Sequence, residues 1–187
     1  QARDGDASAG AILALDLPLE RGQTPLMTLM VGMRDGGIAQ RDKYIPYKLN
    51  PALQRWLRDS VQAADLSAGG FIYRGSLLAG DHDNRTVQLW LDIAEGSLMF
   101  DPRWPPIREL RAQLLLDDST LSIEGQRGLI YQSTVLRNIE GHFDSAEDEW
   151  LRLRGDAYAG APDVLRLLTE TSLRDQLGAG FDNWRAE

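Results

Sequence analysis

The chain has 187 residues, which is the size of a single domain. It carries 28 acidic and 20 basic residues, so its net charge is −8. This acidity disfavours nucleic acids and anionic membrane surfaces as partners, because both are bound through basic patches. The absence of cysteine excludes disulfides, zinc ribbons and thiol nucleophiles.

The sequence also has the features of one piece of a longer polypeptide. It begins Gln1-Ala2-Arg3, with neither an initiator Met nor a signal peptide. Composition does not shift along the chain, so we expect residues 1–187 to form one soluble unit. The longest nearly apolar stretch, residues 9–15, is much shorter than the ~20 residues that cross a bilayer.

Most of the chain shows the alternation of apolar and polar residues that is typical of β-strands. Clean alternating sets occupy residues 13–19, 27–33, 87–93, 110–116 and 121–123. Less regular sets follow at residues 98–100, 129–131, 135–139 and 151–153. Turn residues separate the sets at intervals of about 8–12 residues. This spacing predicts a mainly β protein built as an antiparallel meander.

A first helix is predicted before the central strands. Asn50 and Pro51 provide an N-cap and a proline at the first helical position. One apolar face follows at helical spacing, formed by Leu53, Trp56, Leu57 and Val61. We expect this helix to extend to about residue 64.

A second helix is predicted after the last strand. It begins at Ala161 and Pro162, and its apolar side is formed by Val164, Leu167 and Leu168. Ser172 and Asp175 then have the spacing of a capping box, which predicts a further short helical turn.

No pattern of residues supports catalysis or metal binding. His82 and His142 lie 60 positions apart and lack the spacing of zinc ligands. Residues 81–84 lack the central glycine and distal glutamate of a calcium loop. The chain has no nucleophile elbow and no glycine-rich nucleotide motif. We therefore expect no enzymatic activity, no metal and no cofactor.

The apolar strand faces are compatible with several alternative structures. They could close on each other as the core of a sandwich, or they could line an open groove that holds an apolar ligand. A carbohydrate-binding sandwich is a further alternative, but it needs aromatic residues on a wet face. Trp56 and Trp104 are expected to be buried. Trp90 falls on the strand face opposite to Leu89 and Leu91.

The order of segments along residues 40–178 is distinctive. The segments are Tyr44-Ile45-Pro46, the helix with Trp56-Leu57, and residues 69–75, 87–93, 96–100, 104–107, 121–125, 128–141, 151–155 and 163–173. This order resembles the YhdP family of large AsmA-like bacterial envelope proteins, which are relatives of TamB. Residues 1–39 match only in pattern, as strands of a preceding unit.

The resemblance implies a parent protein that is anchored in the bacterial inner membrane and extends through the periplasm. It implies repeating β-sheet units that curl into an elongated, taco-like open groove, with short helices at the ends of a repeat. Residues 40–178 would be one such repeat with its following helix. The implied function is non-enzymatic transport of phospholipid between the inner and outer membranes. The partners would be lipid acyl chains and the adjoining repeats.

Under this hypothesis, the alternating residues predict the positions that face the lipid. The expected lining residues are Leu89, Leu91, Ile93, Leu114, Leu116, Leu121 and Ile123, flanked by Leu29, Val31, Leu151 and Leu153. A charge at Leu91 or Leu114 would then block lipid passage. If the face is instead a closed core, the segment is a structural spacer or interaction module, and the same charge would unfold it.

Overall fold

The computed structural model describes residues 8–20, 22–37, 55, 58–78, 80–81, 84–144 and 150–177. Eight strands form one antiparallel sheet in chain order: β1 (Ser8–Asp16), β2 (Leu26–Gly37), β3 (Val61–Ser76), β4 (Arg85–Leu98), β5 (Ile107–Asp117), β6 (Thr120–Ile130), β7 (Thr134–Asp144) and β8 (Arg152–Tyr158). Two helices follow, α1 (Ala161–Glu170) and α2 (Leu173–Leu177). The antiparallel meander is confirmed, and the sheet does not close into a barrel.

The β5–β6 hairpin shows how local sequence determines a reversal of the chain. Asp118 has a φ of 48°, in the left-handed region that Asp tolerates better than most residues. Its carboxylate accepts a hydrogen bond from the backbone N–H of Val87 at 2.7 Å. The turn residue therefore both reverses the chain and attaches the hairpin to the start of β4.

The first predicted helix ends earlier than expected. Arg55 and residues 58–60 are helical, but Val61 already begins β3 and pairs with Leu98. The extension of the helix to residue 64 is therefore wrong, because strand pairing overrides the helical spacing of Val61. The other residues of that helix, and the Tyr44-Ile45-Pro46 segment, lie outside the described residues.

Some other predicted ends also differ. β1 ends at Asp16, so Leu17 and Leu19 lie beyond the strand and are exposed. Leu151 precedes β8 rather than belonging to it. In α1, Leu167 packs against the core as expected, whereas Val164 is exposed.

A line of irregular positions crosses the sheet. Buried positions along a strand are mostly two residues apart, but steps of three occur at residues 33–36, 66–69, 107–110 and 125–128. The strand register shifts at neighbouring positions in β3, β4, β5 and β7. Asp35, Glu109 and Asn138 have left-handed φ values there. Bulges bend strands and increase their twist, so this line marks a bend in the sheet.

Two of the less regular alternations predicted from the sequence are wrong near this bend. In β7 the extra residue is Asn138, so Ile139 is buried while Arg137 is exposed. Period two across residues 135–139 is therefore wrong. Tyr131 does not continue β6, because it lies in the turn before β7.

Candidate functional site

The strand register separates the side chains of the sheet into two faces, of which one is apolar. Successive partners across seven strands form a first row: Ala11, Val31, Phe71, Leu89, Leu116, Leu121 and Phe143. A second row crosses all eight strands: Ala9, Met33, Gly69, Leu91, Leu114, Ile123, Gly141 and Leu153. We call the side of the sheet that carries these rows the apolar face, and the opposite side the outer face.

The register places ten of the eleven residues that were predicted to line a groove on this apolar face. Eight of them belong to the two rows, and Leu29 and Ile93 lie on the same face in neighbouring rows. Leu151 precedes β8 and is partly buried. Phe71 and Phe143 also lie on this face but were not predicted, because their strands show less regular alternation. Their register partners Leu89 and Leu121 identify them.

Burial on the apolar face decreases from the middle of the sheet toward its edges. Leu116 and Leu121 are 1% and 0% exposed and belong to one tightly packed cluster with Leu89, Leu114 and Ile123. Leu91, Ile93, Leu29 and Val31 are partly buried. At the edges, Leu13 is 58% exposed and Leu153 is 38% exposed. The face is therefore packed in the middle and open to solvent at both edges.

Glycines on the apolar face leave room for large neighbours. A Cβ on Gly125 would lie 2.8 Å from the Cβ of Ile139, and a Cβ on Gly128 would lie 2.5 Å from Cγ2 of Ile107. Both distances are below ordinary van der Waals contact. The small residues are thus part of the close packing of this face.

The two helices lie at one end of the strands and are attached at two places; we call them the end cap. At one attachment, the buried carboxylate of Asp163 accepts hydrogen bonds from Ser133 Oγ at 2.7 Å and Thr134 Oγ1 at 2.8 Å. At the other, the indole N–H of Trp104 donates to Ser172 Oγ at 3.0 Å. Leu167 packs against the central cluster between them.

The polar groups with perturbed ionisation lie around the end cap. Hydrogen bonds from Ser133 and Thr134 lower the pKa of Asp163, and the nearby Arg166 acts in the same direction. The guanidinium of Arg166 lies 4.1 Å from the ring centroid of Tyr131. Burial raises the pKa of Tyr131. These groups hold helix and sheet together at one end of the strands.

Among the described residues, no three His, Asp or Glu side chains converge as a potential metal site. Within that part of the chain, no helix is long and apolar enough to cross a membrane. The feature that distinguishes the described part of the molecule is its extended apolar face.

Comparison with known proteins agrees with the order of segments in the sequence. The model of the YhdP family, described as YhdP protein, matches residues 7–187. No curated protein and no solved structure gives a significant match. Because the match covers nearly the whole length, the chain belongs to the YhdP family.

Proposed function

We propose that this chain is a non-enzymatic segment of a lipid conduit in the bacterial envelope, in which phospholipid acyl chains lie against the apolar face. Membership of the YhdP family supports a role related to lipid transport in the envelope. The proposed location is the periplasm, within a parent protein that is anchored in the inner membrane. Adjoining repeats of the same polypeptide would continue the apolar face at the two edges of the sheet.

The observation that carries this proposal is the continuity of the second apolar row across an unclosed sheet. Eight strands at a spacing of about 4.8 Å give a path of about 34 Å along the sheet. Exposure of an acyl chain to water costs ~0.8 kcal/mol per CH₂ group. A continuous apolar surface removes that cost along the path. Successive positions have similar chemistry, so a chain can move without any covalent step.

Burial indicates where lipid contact begins. Leu13 is exposed and its partner Leu29 is only partly buried, so a ligand can reach this side of the apolar face without displacing the cluster. Leu116 and Leu121 are already covered by protein. Lipid would reach these central residues only if the packed side chains separate.

A structural spacer is the second candidate, and one observation favours it. The central cluster around Leu121 is as fully buried as an ordinary protein core. A face that never opens would support neighbouring segments without carrying lipid. A carbohydrate-binding sandwich has less support, because the described strands form one sheet rather than two.

A crosslinking experiment tests the conduit. The photoreactive residue benzoylphenylalanine would replace Leu29 on the apolar face or Thr28 on the outer face of the same strand. After illumination in cells that produce the parent protein, we expect phospholipid adducts from position 29 and at least tenfold fewer from position 28. Equal labelling at both positions would contradict the proposal.

A charge variant separates the conduit from the spacer. Leu29→Asp should lower lipid binding at least tenfold while the melting temperature of the purified segment remains close to that of Thr28→Asp. If folded wild-type protein binds no phospholipid in native mass spectra and gives no adduct in cells, the spacer becomes the better explanation.

A further inference from the structure

Helix α1 covers one end of the apolar face. Thr134, whose hydroxyl donates to Asp163 of this helix, is the register partner of Ile130. Thr134 is fully buried and Ile130 is only 6% exposed. Leu167 of α1 packs against the central cluster, to which Ile130 belongs. The helix therefore lies over the end of the face at which β6 ends and β7 begins.

The helix is attached mainly through polar contacts near its two ends. Asp163 lies in its first turn and Ser172 follows its last turn, and both are hydrogen-bonded to side chains outside the helix. Between them, Leu167 is only partly buried and Val164 is 42% exposed. A helix that buries little apolar surface loses little hydrophobic stabilisation when it leaves the sheet. Segments of this kind open at lower free energy than the core does.

The docked position of α1 also leaves one polar group without a partner. The ring of Tyr131 lies beneath the helix, with the guanidinium of Arg166 at 4.1 Å from its centroid. Its hydroxyl oxygen is buried and has no hydrogen-bond partner among the described residues. A buried hydroxyl without a partner has lost its bonds with water, and it regains them on exposure. Tyr131 therefore opposes the docking of the helix that covers it.

A short connection of small residues joins α1 to the sheet. β8 ends at Tyr158 and α1 begins at Ala161, so Ala159 and Gly160 form the whole connection. Gly160 has an extended backbone, and no side chain caps the helix at this residue. A Cβ on Gly160 would lie 3.7 Å from Cδ of Pro162, an ordinary contact within the same segment. Changes of φ and ψ at two such residues can move the helix while β8 stays paired.

We propose that α1 is a hinged lid, which docks on and undocks from the Ile130 end of the apolar face, and that acyl chains reach this end only while the lid is undocked. Asp163 holds the lid closed, and the hydroxyl of Tyr131 favours its opening. This inference rests on the lipid conduit proposed above for the role of the lid, but the movement itself requires no lipid.

The movement can be measured with a single thiol, because the chain has no cysteine. In Ile130→Cys, reaction with a maleimide reports undocking of the lid. In Leu121→Cys, at the other end of β6, it reports opening of the central cluster. We expect at least tenfold faster labelling at position 130, with a rate that depends little on dilute urea. Equal rates with the same urea dependence would overturn the proposal, because the helix would then leave only when the whole fold opens.

Two substitutions test the residues that set the position of the lid. In the Ile130→Cys background, Asp163→Ala should accelerate maleimide labelling at least tenfold. Tyr131→Phe removes the unpartnered hydroxyl and keeps the ring beneath Arg166, so it should slow labelling several-fold. Unchanged labelling in Asp163→Ala, or faster labelling in Tyr131→Phe, would contradict the roles assigned to these residues.

A reversible lock tests the access of lipid. Ser133→Cys combined with Asp163→Cys places two thiols where the side chains now form a hydrogen bond, so oxidation should fix the lid. Benzoylphenylalanine at Leu136, which packs against the cluster near the lid, reports acyl chains there, and the same group at Leu29 reports them on the far side of the sheet. With vesicles of phosphatidylethanolamine and phosphatidylglycerol, oxidation should lower phospholipid adducts at position 136 at least tenfold. Reductant should restore them, and position 29 should not respond.

The outcomes of this experiment separate the lid from the conduit. If position 29 forms adducts while position 136 ignores the disulfide, the lid is refuted and the conduit stands. The same conclusion follows if position 29 forms adducts and position 136 forms none in either redox state. If neither position forms adducts, both the conduit and the lid are refuted.

Discussion

Asp163 is the polar residue on which the attachment of α1 to the sheet depends. Its carboxylate is buried and accepts two hydrogen bonds from hydroxyl groups in the β6–β7 connection and the start of β7. Thr134, one of the donors, is fully buried. An ionised carboxylate accepts both bonds well, whereas a protonated one loses acceptor strength. Helix docking is therefore coupled to the charge of one side chain.

This coupling predicts a pH dependence of stability. The folded-state pKa of Asp163 is lowered, mainly by its hydrogen bond from Ser133. Its contribution is thus complete above the unfolded pKa of about 3.9 and is lost as the pH falls through the folded pKa. Thermal unfolding between pH 6 and pH 2 should show a steeper loss of stability for the wild type than for Asp163→Asn. Thr134→Val should raise the folded pKa, measured by carboxyl NMR titration. If the wild type and Asp163→Asn lost the same stability as the pH fell, the coupling would be contradicted.

At the scale of elements, the bend of the sheet uses residues with left-handed backbone rather than glycines alone. Glu109 has a φ of 49° within β5, where most side chains are strained. Its only described ion pair, with Arg127 at 3.9 Å, joins two side chains that are both more than half exposed, so it contributes little. The bulge in β5 is therefore maintained by the pairing around it and not by Glu109 itself.

We accordingly expect Glu109→Gly to stabilise the protein. Glycine adopts this φ without strain, and the gain should be about 0.5–1 kcal/mol. Arg111→Gly, two residues away in the same strand and without a left-handed φ, should lower stability by a similar amount. The free energy of unfolding of both variants, measured in urea, tests these two expectations. A loss of stability in both would show that the backbone at Glu109 is not strained.

A second prediction at this scale concerns packing between strands. A Cβ on Gly128 would overlap Ile107, whose branched side chain is buried. Gly128→Ala should therefore destabilise by about 1–3 kcal/mol through overpacking. Gly32→Ala on the outer face has open space and should be neutral or slightly stabilising. Equal effects in urea unfolding would show that the two faces do not differ in packing.

At the scale of the whole molecule, the two outermost strands of the described sheet differ. β8 carries Arg152, Arg154 and Asp156, and charged side chains are a common protection of exposed strand edges. β1 has no charge or proline before Asp16, and all nine of its residues are exposed. An edge that is apolar on both faces is a template for pairing with another strand. β1 is therefore the edge at which we expect association.

This asymmetry predicts the effect of a charge on β1. Ala14 lies on the outer face of β1, away from the apolar face. Ala14→Lys should raise several-fold the concentration at which the segment self-associates, measured by sedimentation velocity. Thr28→Lys places the same charge on the same face one strand further inside and should change association little. Equal effects of the two variants would indicate that net charge, rather than the edge, controls association.

Part of this architecture can be predicted from the order of the residues in the sequence. The alternation at residues 27–33, 87–93, 110–116 and 121–123 identifies which side chains share a face, because successive side chains of a strand point to opposite sides. The structure places those sets together on the apolar face. The end of the first helix and the extra residue at Asn138 were not predictable in this way. Both depend on pairing with a strand that is distant in sequence.

The sequence by itself determined the class of the protein: an antiparallel meander with one apolar face and the segment order of the YhdP family. These are local properties, set by period-two alternation and by turn residues. Only the tertiary structure decided that Leu121 is covered while Leu13 is open. It also decided that Gly10, Gly32 and Gly70, which are far apart in the chain, align in one row of the outer face. Burial and alignment depend on the register between strands, which is set by contacts far apart in the chain.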